Sequence, residues 1–135
     1  MKAINIIYKL IFLCILLFTF NNITYCQKTS LSNNVLSIKG YKPGNIPLDS
    51  IKHATRIDIK APYRFVSANV YFGDHTGKRC IGIRPLNGSL FDDAILGAMD
   101  TLDSKSLVFF TDIKILDKSG KILKLSDIFF TVNDN

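Results

Sequence analysis

Residues 64–72, which read RFVSANVYF, carry the clearest strand pattern in this chain. Side chains of a strand point alternately to its two faces, so the stretch divides into two sets. One face carries Val66, Ala68, Val70 and Phe72, and the other carries Phe65, Ser67, Asn69 and Tyr71. Aromatic side chains on both faces predict that both faces are covered, or that one is covered and the other binds a partner.

Six further segments have strand patterns. The longest is residues 107–116 (LVFFTDIKIL). Strict alternation predicts that one face of it carries Leu107, Phe109, Thr111, Ile113 and Ile115. The shorter segments are residues 35–39, 56–60, 78–84, 121–125 and 128–132. A glycine-containing turn at residues 117–120 predicts that the strands on either side of it form a hairpin.

The clearest helical pattern covers residues 89–102. Apolar side chains recur there at helical spacing, and Ser89 with Asp92 three positions later predicts a capping box at the start of the helix. About seven short strands with one helix predict a mainly β protein. We expect an Ig-like antiparallel β-sandwich whose one short α-helix lies in a crossover.

The N-terminal residues predict export. Lys2 and Lys9 mark a basic start, residues 10–20 (LIFLCILLFTF) are uncharged and mostly apolar, and a polar stretch leads to Cys26. This is the layout of a secretory signal peptide, and about 11 residues are too few for the roughly 20 of a membrane-spanning helix. We expect cleavage before Gln27, with a lipid anchor on Cys26 or an uncleaved anchor as the alternatives. The mature chain would then lie in the periplasm or at the cell surface, with no transmembrane segment.

The prediction divides the chain into a signal peptide (residues 1–26), a disordered polar leader (27–34) and one β-sandwich domain (35–133). Loss of the signal peptide removes two lysines and lowers the net charge from +6 to +4. A mild positive charge without a dense basic run argues against a nucleic-acid-binding protein. Cys80 is the only cysteine after residue 26, so the mature chain can form no intrachain disulfide, and we expect this thiol to be buried.

The sequence offers few residues for catalysis. Asp74 and His75, in a turn flanked by glycines, are the best candidates for a general-base pair, although a solvated turn is the simpler interpretation. Asp92 and Asp93 point about 100° apart on a helix, so they do not converge on one bond. No phosphate loop, dinucleotide fingerprint or metal-ligand spacing is present. We therefore expect a protein that is not an enzyme, with no catalytic residue, no cofactor and no metal site.

We expect an interaction surface on the outer face of the sheet and on the last hairpin. The candidate residues are Phe65, Tyr71, Phe110, Phe129, Lys114, Lys118, Lys121 and Lys124. The aromatic side chains would stay uncovered wherever the helix does not shield them. The lysines either dock an acidic partner or form a solvated face that discourages pairing between sheet edges.

Several motifs resemble the C-terminal periplasmic domain of GldM, the gliding-motility and type IX secretion motor protein. Residues 40–46 (GYKPGNI) look like the opening turn of that domain, and residues 65–72 (FVSANVYF) look like its aromatic strand. The most specific stretches, residues 110–114 (FTDIK), 118–121 (KSGK) and 124–128 (KLSDI), are similar to its closing run. The resemblance spans residues 39–132 and implies a small Ig-like β domain in an exported assembly.

The expected function is that of a non-enzymatic interaction or structural module. Its partner would be a protein of an envelope or type IX secretion and gliding-type assembly, and the sequence leaves open whether the chain is a homo-oligomer. The alternative is a carbohydrate- or polyanion-binding domain at the cell surface that uses Tyr41, Tyr63 and Tyr71 with neighbouring basic residues. The third hypothesis is a small hydrolase that uses Asp74 and His75.

Overall fold

The computed structural model describes residues 33–74, 76 and 80–134, apart from the side chains of Asn33 and Ile81. The predicted signal peptide, most of the predicted leader and His75 lie outside these residues. A single 3-10 turn, Asn33–Val35, comes first. The elements that follow are β1 (Leu36–Ser37), β2 (Gly44–Pro47), α1 (Leu48–Lys52), β3 (Asp58–Ile59), β4 (Arg64–Gly73), β5 (Cys80–Asn87), α2 (Asp93–Asp100), β6 (Leu107–Leu116), β7 (Ile122–Lys124) and β8 (Ile128–Asn133).

Six strands form the main sheet. Its order is β2-β8-β6-β4-β5, and β7 pairs with the C-terminal end of β6. The pair β2–β8 is parallel and the other pairs of this sheet are antiparallel. A second layer, made of the antiparallel ribbon β1–β3 with α1 and α2, packs on one face of the sheet. The predicted mainly β, sandwich-like fold is confirmed, with the two helices forming part of the layer opposite the main sheet.

The hydrophobic core lies between the main sheet and this second layer. We call the covered side of the sheet its inner face and the opposite side its outer face. Alternation in β4 places Ala68, Val70 and Phe72 on the inner face, and all three are buried. Every buried apolar side chain among the described residues lies between Leu36 and Val132. All of the core that the structure describes therefore lies within residues 36–132, a length typical of one domain.

A bulge in β6 changes which of its side chains reach the core. The register pairs Asn69 with Thr111 and Ser67 with Lys114, so β6 carries one residue more than β4 over this step. Asp112 lies within the bulge in the left-handed backbone region, with φ +49°. Phe110, which precedes the bulge, faces inward at 0% exposure. Ile113 and Ile115, which follow it, also face inward at 0% exposure. The strict alternation predicted from residues 107–116 is therefore wrong for Leu107, Phe109 and Thr111.

A second bulge, in β4, changes the position of Phe65. The register pairs Phe65 with Ile115 and Ser67 with Lys114, which leaves Val66 as the additional residue. Since Ile115 faces the core, Phe65 also points inward, and its half-buried ring packs against the core cluster. The sequence placed Phe65 on the same face as Tyr71, and that expectation is wrong.

Helix α2 begins later than the sequence predicts. Asp92 is its N-cap, and the backbone N–H of Ile95 donates to Asp92 Oδ1 at 2.8 Å. The expected Ser89 cap is wrong, because the carbonyl of Ser89 instead accepts a hydrogen bond from the N–H of Ile57. Asp92 satisfies one of the N–H groups that the first turn leaves unpaired. Ile95 and Met99 then point into the core at 0% exposure.

Candidate interaction surface

Four apolar side chains form a row across the outer face of the main sheet. Tyr71 of β4 lies opposite Ile83 of β5 on one side and opposite Phe109 of β6 on the other. Phe109 in turn lies opposite Phe129 of β8. Directly opposed residues of neighbouring strands have their side chains in contact range, so these four side chains form one continuous line over four strands. We call this line the outer-face row.

The outer-face row is exposed, most of all at its two ends. Ile83 is 52% exposed and Phe129 is 51% exposed, whereas Tyr71 and Phe109 are half-buried by their neighbours. The rings of Phe109 and Phe129 lie 6.0 Å apart between centroids, at an interplanar angle of 38°. Scattered exposed apolar residues are ordinary on a protein surface, whereas a contiguous apolar patch is a candidate interaction site.

Uncharged residues, three of them polar, flank the outer-face row on β4, β5, β6 and β8. Asn69 and Thr111 lie opposite each other on one side of it, and Leu107 and Thr131 do so on the other side. Pro85 extends the first of these pairs onto β5. The amide and hydroxyl groups can donate and accept hydrogen bonds. The centre of the face can therefore contact a partner without placing a charge in the interface.

The charged groups of the outer face lie together at one end of it. Asp112 Oδ1 lies 2.7 Å from Lys124 Nζ, and Asp112 Oδ2 lies 3.4 Å from Lys114 Nζ. The bulge that redirects β6 places this carboxylate between the two lysines, which oppose each other across β6 and β7. The side-chain hydrogen bond from Lys124, followed by that from Lys114, lowers the pKa of Asp112 below its ordinary value of 3.8. Lys114 and Lys124 are thus engaged by an acidic side chain of their own sheet.

Lys118 and Lys121 belong to the turn between β6 and β7. Asp117 Oδ1 accepts hydrogen bonds from the backbone N–H and hydroxyl of Ser119, at 2.8 and 2.6 Å, and from the N–H of Lys121 at 3.0 Å. These contacts, the Ser119 hydroxyl first, lower the pKa of Asp117. Gly120, at φ +80°, supplies the left-handed conformation that the turn requires. Both lysines are exposed at the tip of this turn, which extends beyond the end of the sheet.

The structure separates the aromatic residues selected from the sequence. Tyr71 and Phe129 lie together on the outer face. Phe110 is completely buried and Phe65 packs against the core, so the expectation that these two are exposed is wrong. Sequence reasoning missed Ile83 and Phe109. Alternation of β5 could have identified Ile83, whereas the bulge at Asp112 concealed the outward direction of Phe109.

Cys80 is exposed at the start of β5, and the prediction of a buried thiol is wrong. Its Sγ lies 3.6 Å from the carbonyl oxygen of Gly82. The predicted strand at residues 78–84 places Cys80 within the sheet, but the register shifts between Phe72 and Gly73, where Cys80 pairs with Gly73. This irregularity lies at the end of the β4–β5 pair, where the core no longer covers the thiol.

The candidate catalytic pair is only partly described. Asp74 Oδ1 accepts hydrogen bonds from the N–H and the hydroxyl of Thr76, at 3.1 and 2.7 Å, while His75 lies outside the described residues. The other histidine, His53, lies at the C-terminal end of α1, with its Nδ1 3.1 Å from Asp49 Oδ1. Both members of that pair are more than two-thirds exposed, on a helix surface and not in a cleft. Among the described residues, no group of three or more His, Cys, Asp or Glu side chains could hold a metal ion.

A shallow cleft of about 200 Å³ lies at the Phe129 end of the outer-face row. Its lining residues are Asn34, Pro43, Gly44, Asp127, Ile128 and Phe129. Its volume falls below the range of about 300–1,000 Å³ that is typical of small-molecule sites. The surface is therefore better suited to contact with a macromolecule than to enclosing a small ligand.

No protein-family model matches this chain, and no curated protein is significantly similar to it. In the part of the chain that the structure describes, none of the helices has the length and apolar character needed to cross a membrane. Interpretation of the outer face therefore depends on its own residues.

Proposed function

We propose that this chain is an exported, non-enzymatic docking module that binds a protein partner through the outer-face row. The partner would belong to an envelope assembly of the type IX secretion or gliding type, in the periplasm or at the cell surface. The observation that supports docking is the continuous exposed line of Ile83, Tyr71, Phe109 and Phe129. The signal-peptide pattern supports export, and the resemblance to the GldM C-terminal domain suggests the kind of assembly.

Burial of this row can supply the main attractive free energy. If a partner covers about 250 Å² of apolar area on these four side chains, the gain at about 25 cal/mol per Å² is about 6 kcal/mol. Association costs consume much of this gain, so complementary contacts around the row must add to it. The charged turn residues Lys118 and Lys121 would chiefly affect the association rate and orientation.

The test is capture of a partner by matched variants of the mature chain that cleavage before Gln27 would leave. Phe129→Lys places a charge in the row, whereas Leu90→Lys places the same charge on an apolar residue that is 67% exposed and lies next to α2, in the layer over the inner face. A discrete partner from envelope extract should bind to the wild-type and Leu90→Lys proteins and be lost with Phe129→Lys. Equal capture by all three proteins, or capture by none, would contradict the proposal.

One observation favours the second candidate, a polyanion-binding domain. Ile38 and Tyr41 exchange two backbone hydrogen bonds of 2.9 Å around a two-residue turn, in which Lys39 and Gly40 both have positive φ. Tyr41 is 39% exposed there, next to Lys42. Tyr63, by contrast, is partly buried against the core, so less of its ring is available to a ligand. Retention on a polyanionic resin that survives salt above about 0.2 M, where long-range attraction is screened, would support this candidate.

A further inference from the structure

The β5 edge of the sheet offers few backbone groups to a partner. The N–H of Gly88 donates to the carbonyl of Val66, and in an antiparallel ladder every second residue points its backbone groups toward the neighbouring strand. Ile83 and Pro85 are the alternate residues, so their backbone groups point away from β4. Pro85 has no N–H, and the Arg84 guanidinium donates to the carbonyl of Ile83 at 3.1 Å. A partner of the outer-face row is therefore expected on the face of the sheet and not along this edge.

The opposite end of the row borders the cleft described above. Pro43 and Gly44 lie on its β2 side, and Asp127, Ile128 and Phe129 lie on its β8 side. Gly44 has φ +127°, and a β-carbon at this position would meet no atom of a non-adjacent residue within 4 Å. The cleft is therefore open at Gly44. A partner that lies on the row can place a side chain in it from the outer face.

Asp127 is the only charged residue among those that line the cleft. Its side chain is exposed, and within the part of the chain that the structure describes it has neither an ion pair nor a hydrogen bond. Lys124, three residues earlier, lies 2.7 Å from Asp112 instead. The carboxylate of Asp127 is thus available to a cation that a partner supplies, and it would repel a polyanion.

Phe129 adds an aromatic ring to the same cleft. Its side chain is 51% exposed, and a cation over the face of an aromatic ring is attracted by the π electrons. Asp127 and Phe129 are two residues apart in sequence and both line the cleft. A planar guanidinium can stack on a ring and donate two parallel hydrogen bonds to a carboxylate, whereas the ammonium of lysine is a compact point charge. The pair therefore favours arginine over lysine.

The size of the cleft suits a single side chain. Its volume of about 200 Å³ lies below the range of small-molecule sites. In protein interfaces, most of the binding free energy comes from a few side chains seated in pockets, and arginine is among the residues most often found there. The uncharged outer-face row continues from the cleft across β6 and β4. Apolar side chains beside such an arginine would therefore cover the row.

We propose that the protein partner inserts an arginine side chain into this cleft, with the guanidinium between the ring of Phe129 and the carboxylate of Asp127. We call this contact the arginine anchor. The inference rests on the proposed docking function and specifies the chemistry of the partner, which is a surface with an arginine beside apolar side chains. Because an exposed ion pair is weak by itself, the arginine chiefly sets the position of the partner, and the apolar row supplies most of the attraction.

An NMR titration with a small probe tests the cleft without a partner. N-acetyl-arginine amide added to the mature chain should shift the amide signals of Gly44 and Phe129 along a saturable curve, with a dissociation constant of about 10–100 mM. N-acetyl-lysine amide, which carries the same charge, should bind about threefold more weakly. Asp127→Asn should weaken arginine binding by about the same factor, whereas Asp100→Asn, which removes an exposed charge from α2, should not. Absence of saturable shifts, equal binding of the two probes, or unchanged binding to Asp127→Asn would overturn the proposal.

A photo-reactive phenylalanine analogue at position 45, in the full chain produced in its own cells, separates this inference from the docking function. Asn45 is exposed in β2 beside Gly44 and does not line the cleft, so Asp127 and Phe129 stay in place. A cross-link to a different protein near one of its arginines, lost with Asp127→Asn and when that arginine is replaced by alanine, supports the arginine anchor. A cross-link far from any arginine, or one that persists in either variant, would overturn the anchor and leave the docking function in place. Cross-links only to a second copy, or none above the level of the same analogue at position 90, would count against both.

Discussion

Two aromatic pairs on the same two strands have opposite environments. Phe110 and Phe130 meet edge to face on the inner side of the β6–β8 pair, with ring centroids 6.1 Å apart and no exposure. Phe109 and Phe129, the preceding residue in each case, meet at 6.0 Å on the outer side, where Phe129 remains 51% exposed. Distance and chemistry are nearly equal, so the difference lies in what covers each pair. The second layer covers the inner pair, and nothing in the described part of the chain covers the outer one.

The bulge at Asp112 determines which phenylalanine of β6 faces the core and which faces outward. Its removal should have the largest effect on stability. Deletion of Asp112 would force either residues 107–111 or residues 113–116 to the opposite face, because a shift of one residue reverses every side chain. We expect loss of the cooperative unfolding transition, with a destabilisation of more than about 4 kcal/mol. Urea denaturation followed by circular dichroism measures this. Asp112→Gly, which keeps the residue count, is the control and should remain folded.

Substitution of the buried ring should cost much more than substitution of its neighbour. Phe110→Ala should lower the free energy of unfolding by about 3–5 kcal/mol, because it removes a fully buried ring and leaves a cavity. Phe109→Ala should lower it by about 1–2 kcal/mol, since that ring is already partly in solvent. Chemical denaturation of the two variants side by side gives both values. Equal losses would show that the two faces are covered to the same extent.

The two most exposed members of the row should contribute least to stability. Phe129→Ala and Ile83→Ala should each change the free energy of unfolding by less than about 1 kcal/mol, as expected for half-exposed side chains. The measurement must be made at low protein concentration, so that self-association does not add to the stability of the wild type. A large loss at either position would mean that the row supports the fold and is not kept available for contact.

The smallest effect should come from the charged end of the outer face. The pKa of Asp112 is lowered in the folded chain, so the pairing contributes stability above its ordinary value of 3.8 and loses it as the pH falls through the lower, folded-state value. Solvent screening keeps this contribution small, because the carboxylate lies at the surface of the sheet. Carboxyl NMR titration should give a midpoint below 3.8 for Asp112. Replacing both Lys114 and Lys124 by Ala should return the midpoint toward that value.

Much of the fold could be predicted from local patterns. β4, β6 and the turn at residues 117–120 follow from alternation and glycine placement, since these depend on residues close in sequence. The parallel pairing of β2 with β8 could not be predicted, because local sequence patterns do not indicate which distant strand pairs with β2. The start of α2 was missed because Ser89 and Asp92 are both suitable caps, and the backbone bond from Ile57 to Ser89 decided between them.

Sequence reasoning selected the outer face of the sheet as the candidate surface, but it identified only some of the apolar residues there. Tyr71 and Phe129 follow from alternation in uninterrupted parts of β4 and β8. Phe65 and Phe110 were assigned to the wrong face because each strand contains one additional residue that reverses the alternation. That residue is Val66 in β4 and Asp112 in β6. Asp and Asn tolerate left-handed backbone conformations, so Asp112 within an apolar strand was the available signal for a bulge.

Pro85 and Arg84 have a consequence for aggregation at the β5 edge of the sheet. An unprotected terminal strand would invite one molecule after another to add on, and such growth has no natural end. Pro85 has no backbone N–H, and the Arg84 guanidinium donates to the carbonyl of Ile83 at 3.1 Å. Addition of further strands at the β5 edge is therefore disfavoured. The β5 edge should therefore not seed the growth of fibrils when the protein is concentrated.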